Sequence, residues 1–106
     1  MQETYIDTRS CLDEEGLLHT FRYYLLTQHS PIGPFCLEDY GVLVEETGSE
    51  RAIMFPITHS FPKIQELMAL LVGHAVTPTN LYDVAEDWTK ENPLPQLTPQ
   101  QVVKME

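Results

Sequence analysis

Basic residues are scarce in this chain: six Lys and Arg stand against sixteen Asp and Glu, for a net charge of −10 with neutral histidines. Arg9, Arg22, Arg51, Lys63, Lys90 and Lys104 are scattered along the sequence. The counterion release that drives non-specific nucleic-acid binding therefore has no basic stripe to work through, and an anionic membrane surface is disfavoured on the same ground. Cysteine is also rare. Cys11 and Cys36 are too few for the disulfide framework of a secreted mini-domain, and the opening Met1-Gln2-Glu3-Thr4 lacks the basic leader and apolar core of a signal peptide. Both features predict a cytoplasmic protein with reduced thiols. The longest apolar run, residues 67–72, falls far short of the about 20 residues a membrane-crossing helix needs. The five glycines are dispersed, which leaves no Gly-rich phosphate loop, and no serine sits in a GxSxG elbow. CxxC, HxH and HExxH spacings are all missing.

What is present fits one folded unit. The 106 residues are 42% hydrophobic and 21% charged, a globular composition, and a domain of this length can bury roughly 65% of its unfolded surface. Residues 4–12 mix Tyr5, Ile6, Thr8, Cys11 and Leu12 with charges before the turn-forming Asp13-Glu14-Glu15-Gly16. In residues 17–27 both alternating sets are partly apolar: Leu18, Thr20, Arg22, Tyr24 and Leu26 against Leu17, His19, Phe21, Tyr23 and Leu25. This predicts an inner strand with the core on one side and aromatic cross-strand partners on the other. Residues 40–46 alternate again, Thr47-Gly48-Ser49-Glu50 turns the chain, and residues 51–58 give a fourth strand in which Pro56 belongs at an edge or an end. The proline-containing stretch 28–39 reads as a long loop, of the kind that is often functional.

At Ser60 the period changes. Phe61, Ile64, Leu67, Met68, Leu71 and Val72 share one arc of a helical wheel, with Ser60 to cap the start, Pro62 in the first turn and Gly73 at the end. A second helix is expected from Thr77-Pro78, with Leu81, Val84, Ala85 and Trp88 as its stripe. The expected fold is therefore a two-layer α+β domain over residues 1–92, an antiparallel meander of about four strands packed against two consecutive C-terminal helices. Residues 93–106 read as an extended linker and a short helical tail.

Tyr40-Gly41-Val42, Glu66-Leu67, and Val76-Thr77-Pro78 followed by Leu81, Asp83, Val84 and Asp87 resemble a small family of uncharacterised bacterial proteins from Gram-positive anaerobes, known only as a domain of unknown function. The resemblance implies no activity and carries over no site residue.

Candidate chemistry is sparse. In a meander the ends of the second and fourth strands meet one sheet edge, which brings His29 and His59 to the same side with Cys36 nearby. These three are the candidate metal ligands, although their backbones stand about 10 Å apart and no spacing pre-arranges them. Asp83, Glu86 and Asp87 share the outer face of the second helix, but acid–base work needs carboxylates whose surroundings push their pKa values apart, and this face reads as wet. The same carboxylates would repel DNA. No cofactor is implied. A binding role is suggested instead by apolar residues without a core position: Leu70 and Tyr82 off their helix stripes, Phe35 in the 28–39 stretch and Tyr24 on the second face of the inner strand. The expectation is a non-enzymatic protein–protein interaction or regulatory module, self-associating through an apolar sheet or helix face. The alternative is a small enzyme or metal-binding protein built on the strand-end His and Cys residues.

Overall fold

Apolar side chains at both parities of one segment demand burial on two sides, and the chain meets that demand by placing the segment inside a sheet. The computed structural model describes residues 1–91. Four strands, β1 (Gln2–Leu12), β2 (Leu18–Ile32), β3 (Phe35–Glu46) and β4 (Arg51–Thr58), form one antiparallel sheet in the order β1-β2-β3-β4. Two helices follow, α1 (Phe61–Gly73) and α2 (Leu81–Glu91). The fold is the α+β meander with C-terminal helices that the alternation and the change of period imply. The expected linker and tail over 93–106 lie outside the described residues.

Tight turns fix the register. Asp13 accepts the backbone N–H groups of Glu15 and Leu17 through Oδ1, and Gly16 and Gly48 adopt the left-handed backbone (φ 80° and 76°) that the first and third hairpins require. The second hairpin corrects the sequence reading. Residues 28–39 are not a loop: β2 and β3 stay paired outward to Ile32↔Phe35, and only Gly33 (φ 59°) and Pro34 turn the chain. Glycine in the left-handed region at the first turn position supplies the twist that flanking strands need. Proline tolerates the second turn position, which needs no ladder donor. The two prolines of the stretch suggested a loop because a strand interior seldom tolerates them.

The outer parts of β2 and β3 consequently project beyond the helices as a two-stranded arm, and the described residues extend over 60 × 26 × 19 Å. In β1 a bulge between Tyr5 and Asp7 shifts the register. A second irregularity lies between Tyr40 and Val42 of β3, where the edge strand β4 passes through Pro56, a position that needs no ladder donor.

The core lies between one sheet face and the helices. Phe21, Tyr23 and Leu25 of β2, Tyr40, Val42 and Val44 of β3, and Ile57 of β4 meet Ile64, Leu67, Met68 and Leu71 of α1 and Leu81, Ala85 and Trp88 of α2. Among the arc expected of α1, Phe61 stays exposed at the helix start, with its ring tilted against Tyr40 at 5.6 Å between centroids. Ser60 caps α1 as expected, accepting the Lys63 N–H.

The end of α1 differs from expectation. Gly73 is still helical, and the left-handed residue is Ala75 (φ 48°). Val76 N–H reaches the Leu71 carbonyl at 3.0 Å and Ala75 N–H reaches that of Val72 at 3.1 Å, the paired bonds of a Schellman stop with Val76 as its buried apolar contact. The second helix also starts later than Thr77. Thr77 instead closes a turn, accepting the Asn80 N–H through both its hydroxyl and its carbonyl, and Val84 N–H then bonds to the Asn80 carbonyl. α2 therefore begins at Leu81.

Candidate functional site

Side chains alternate across a strand, so the residues that face the helices decide which ones face away. With Phe21, Tyr23 and Leu25 of β2 and Tyr40, Val42 and Val44 of β3 in the helix-side core, Tyr24, Leu26 and Ile32 of β2 and Phe35, Leu37 and Leu43 of β3 occupy the other face. No helix covers that face among the described residues. One row crosses the whole sheet there, Tyr5↔Tyr24↔Leu43↔Ile53. Tyr5 meets Tyr24 edge-on at 5.9 Å between centroids, and Leu43 beneath is only 1% exposed.

The next row outward pairs Leu26, also 1% exposed, with Gly41. Gly41 has a specific reason to lack a side chain: a Cβ there would stand 2.6 Å from Cδ2 of Phe55 and 2.5 Å from the Met54 carbonyl oxygen. Phe55 thus lies across Gly41, and the helix-free face gains a thin apolar layer of its own. Beyond it the arm carries Leu37 and then Ile32 and Phe35 on the same face, with Phe35 71% exposed at the tip. Tyr5, Ile53, Leu37, Ile32 and Phe35 are all exposed, and all lie on this one side.

Charge on the face is small, with Glu3, Asp39 and Glu45 against Arg22 and Arg51. Arg22↔Glu45↔Arg51 form an alternating row beside the tyrosines, and Asp39 on the arm bonds His59 Nδ1 at 2.7 Å through one oxygen and accepts the Ser30 hydroxyl through the other. Most of the acid load lies elsewhere, on the turns and on α2.

The three candidate metal ligands do not converge. His29 and Cys36 share the helix-side parity of the arm, with Cys36 Sγ 4.0 Å from His29 Nδ1 and Glu38 3.6 Å from the same nitrogen. His59 sits across the sheet on Asp39. A neighbouring strand end fixes an edge but not a face, and the face separates them. Among the described residues no group of three His, Cys, Asp or Glu is placed to hold a metal ion. Asp83, Glu86 and Asp87 are exposed on α2, with Glu86 bridging to Lys90 at 3.7 Å.

Of the remaining expected surface residues, Leu70 is half-buried and packs against the core. Tyr82 is exposed but ties α2 to β4 by donating its hydroxyl to the Ile53 carbonyl at 2.9 Å. Tyr24 and Phe35 are the pair brought onto one surface.

Two clusters escaped the sequence reading. His19 lies between Asp13 (2.7 Å) and Glu46 (3.2 Å). Its hydrogen bond to Asp13, and then that to Glu46, raise its pKa above the ordinary histidine value, while the same contact lowers that of Asp13. Asp13 and His19 stood in a turn and a strand with no visible link, and only the hairpin brings them together. The second is a groove of about 330 Å³ between the β1 bulge and α1, lined by Ile6, Leu25, Ile64, Met68 and Val72 with Asp7 and Gln65 as its polar groups. The bulge creates it by turning both Ile6 and Asp7 toward α1. Asp7 is already engaged, since its Oδ1 accepts the Thr8 N–H.

On the helix side two tyrosines titrate high. Tyr23 is pushed up to about 12 by burial, and its hydroxyl donates to the Val76 carbonyl at 2.8 Å. Tyr40 is raised to about 12 by its hydrogen bond to the Glu38 carboxylate. A tyrosine held this firmly protonated is a structural donor rather than a base.

An antiparallel meander roofed on one side by two helices defines a small two-layer α+β domain. The chain belongs to a family of unknown function, DUF6514, which matches residues 2–91. No curated protein and no solved structure matches it. Among the described residues no helix is long and apolar enough to cross a membrane.

Proposed function

We propose that the protein is a non-enzymatic protein–protein interaction module whose recognition surface is the helix-free sheet face together with the β2–β3 arm. One observation carries the reading: Tyr5, Ile32, Phe35, Leu37 and Ile53 are exposed on the same side of the sheet, over Leu26 and Leu43 that are already shielded from water. Scattered apolar residues are normal on a surface, whereas a set gathered on one face with aromatic anchors at both ends supports a site of association. An arm that contributes nothing to the core also needs a reason to keep Ile32, Phe35 and Leu37 apolar. Tyr24 and Phe35 are its aromatic contacts and Tyr82 stands beside its β4 edge, while Leu70, packed against the helix-side core, lies outside it.

A cytoplasmic setting belongs to the same proposal, supported by Cys11 and Cys36, both free and exposed, a state that persists in a reducing compartment. The bacterial, Gram-positive anaerobic source rests on the stretches around residues 40–42 and 76–87.

Light scattering combined with affinity capture on the immobilised chain tests the reading. The wild type should associate, with itself or with a defined partner, and Phe35→Asp should abolish this while leaving the far-UV circular dichroism unchanged. A strictly monomeric wild type that captures nothing, or association indifferent to Phe35→Asp, would sink it. Metal analysis and a ligand thermal-shift screen examine the rival reading, since a bound small molecule raises the unfolding temperature.

A further inference from the structure

The helix-free face carries a protrusion and a receptor of matching character. At one end the arm presents Ile32 and Phe35 in register. At the other, Tyr5, Tyr24, Leu43 and Ile53 form a row spanning the four strands, about 14 Å from the first strand to the last at the usual strand spacing. Along β2 the two features lie eight residues apart, from Tyr24 to Ile32, or about 27 Å. We infer that the occupant of this face is a second copy of the chain, packed face to face about a two-fold axis near the Gln28↔Asp39 row, so that the arm tip of each copy lies on the tyrosine row of the other. This rests on the interaction reading above and adds the identity of the partner.

Geometry favours self-pairing in a specific way. Reversing the strand direction about residue 28 sends Ile32 onto the Tyr24 row and Leu37 onto the Leu26↔Gly41 row, where Phe55 lies. On β2 and β3 the apolar positions therefore meet apolar positions, with Glu3 at the β1 margin of the Leu26 row, and the polar row at the axis meets itself. That row is internally satisfied: Asp39 is bound by His59 and Ser30, so it needs no partner charge. An isologous arrangement fills both receptors and leaves no arm free, which closes the assembly at two copies.

Charge points the same way. A chain at −10 repels its own copies in general, yet on this face Arg22 and Arg51, two of the six basic residues, stand against Glu3, Asp39 and Glu45 and nearly cancel them. Repulsion is thus lowest where contact is proposed. The area suffices as well. From their exposures, and with aromatic side chains of 150–250 Å², Tyr5, Ile32, Phe35, Leu37 and Ile53 offer on the order of 500 Å² per copy. A pair buries about 1,000 Å² from these side chains alone, the threshold for a specific interface.

The open edge of β1 is the weaker alternative for self-association. Its bulge and the charged Asp7 beside it are the devices by which edge strands resist pairing.

Sedimentation equilibrium of the full chain over a concentration series should give twice the 12.2 kDa chain mass. Phe35→Asp and Ile53→Asp should each raise the dissociation constant by about tenfold or more, as for an interface hot spot. In a background with Cys11→Ser and Cys36→Ser, the double variant Phe35→Cys/Ile53→Cys should form an oxidative cross-link between copies, whereas Phe35→Cys alone should not. A dimer that cross-links through Phe35→Cys alone, or that is untouched by Ile53→Asp, overturns the arrangement. A monomeric wild type overturns self-pairing altogether. If such a monomer binds a different protein in a Phe35-dependent manner, the interaction reading survives without this inference; if it binds nothing, both fail.

Discussion

Ala75 occupies the left-handed region at the end of α1 (φ 48°), where a Cβ crowds the neighbouring carbonyl and glycine is the usual choice. The stop is anchored from outside, since Val76 is buried in the core and its carbonyl receives the Tyr23 hydroxyl. The strain is therefore tolerated rather than relieved. Ala75→Gly should stabilise the protein by roughly 0.5–1 kcal/mol, the relief being offset in part by the entropy of a more flexible unfolded chain. Urea unfolding measures this, and an unchanged or lower midpoint would show that the left-handed conformation costs nothing here.

His19 gives the molecule a pH dependence of definite sign. Its folded pKa lies above the unfolded 6.5 because Asp13, and then Glu46, hold the protonated ring. The stabilisation is fully present below 6.5 and is lost as pH rises through the higher folded value. Asp13, lowered from 3.8 by the same contact, contributes stability that is present above 3.8 and lost as pH falls through its folded value. The denaturant midpoint should therefore decline on the alkaline side of 6.5, and His19→Gln should flatten that decline. An NMR titration of His19 with a midpoint at or below 6.5 would contradict the assignment.

At the scale of elements, α1 and the arm are opposites. α1 keeps Ile64, Leu67 and Leu71 fully buried, so Leu67→Ala should cost about 2–5 kcal/mol in removed contacts and residual cavity. The arm tip is in water within one copy, and Phe35→Ser should change the stability of the monomer by no more than about 0.5 kcal/mol. Thermal unfolding at a concentration low enough to keep the chain monomeric separates the two. A large loss from Phe35→Ser would mean that the arm packs onto its own domain. The helices were readable from sequence because their 3.6-residue period and their caps are local properties. The start of α2 was misplaced since Thr77-Pro78 also suits a turn, and Thr77 spends its oxygens on Asn80.

For the whole molecule, composition already set the acid excess, a net charge of −10, and the absence of an apolar run long enough to span a membrane as a helix. The meander with two helices followed from the order of periodicities, because water exclusion leaves a one-faced sheet and two one-faced helices a single common solution. Alternation alone could say that β2 is apolar on both sides. It could not say that Tyr5, Tyr24, Leu43 and Ile53 form one row, since register is fixed by turns and pairing between residues distant in the chain. The same limit hid the separation of His59 from His29 and Cys36 and the meeting of His19 with Asp13. The arm was hidden for another reason. Pro31 and Pro34 read as loop residues, and only pairing through Ile32↔Phe35 shows that the ladder continues past them. What local chemistry settles, the sequence determined by itself: the order of strands and helices, the Ser60 cap and most of the helix-side core. Which apolar residues were left facing water, and on which side, was decided only when long-range pairing gave the sheet its two faces.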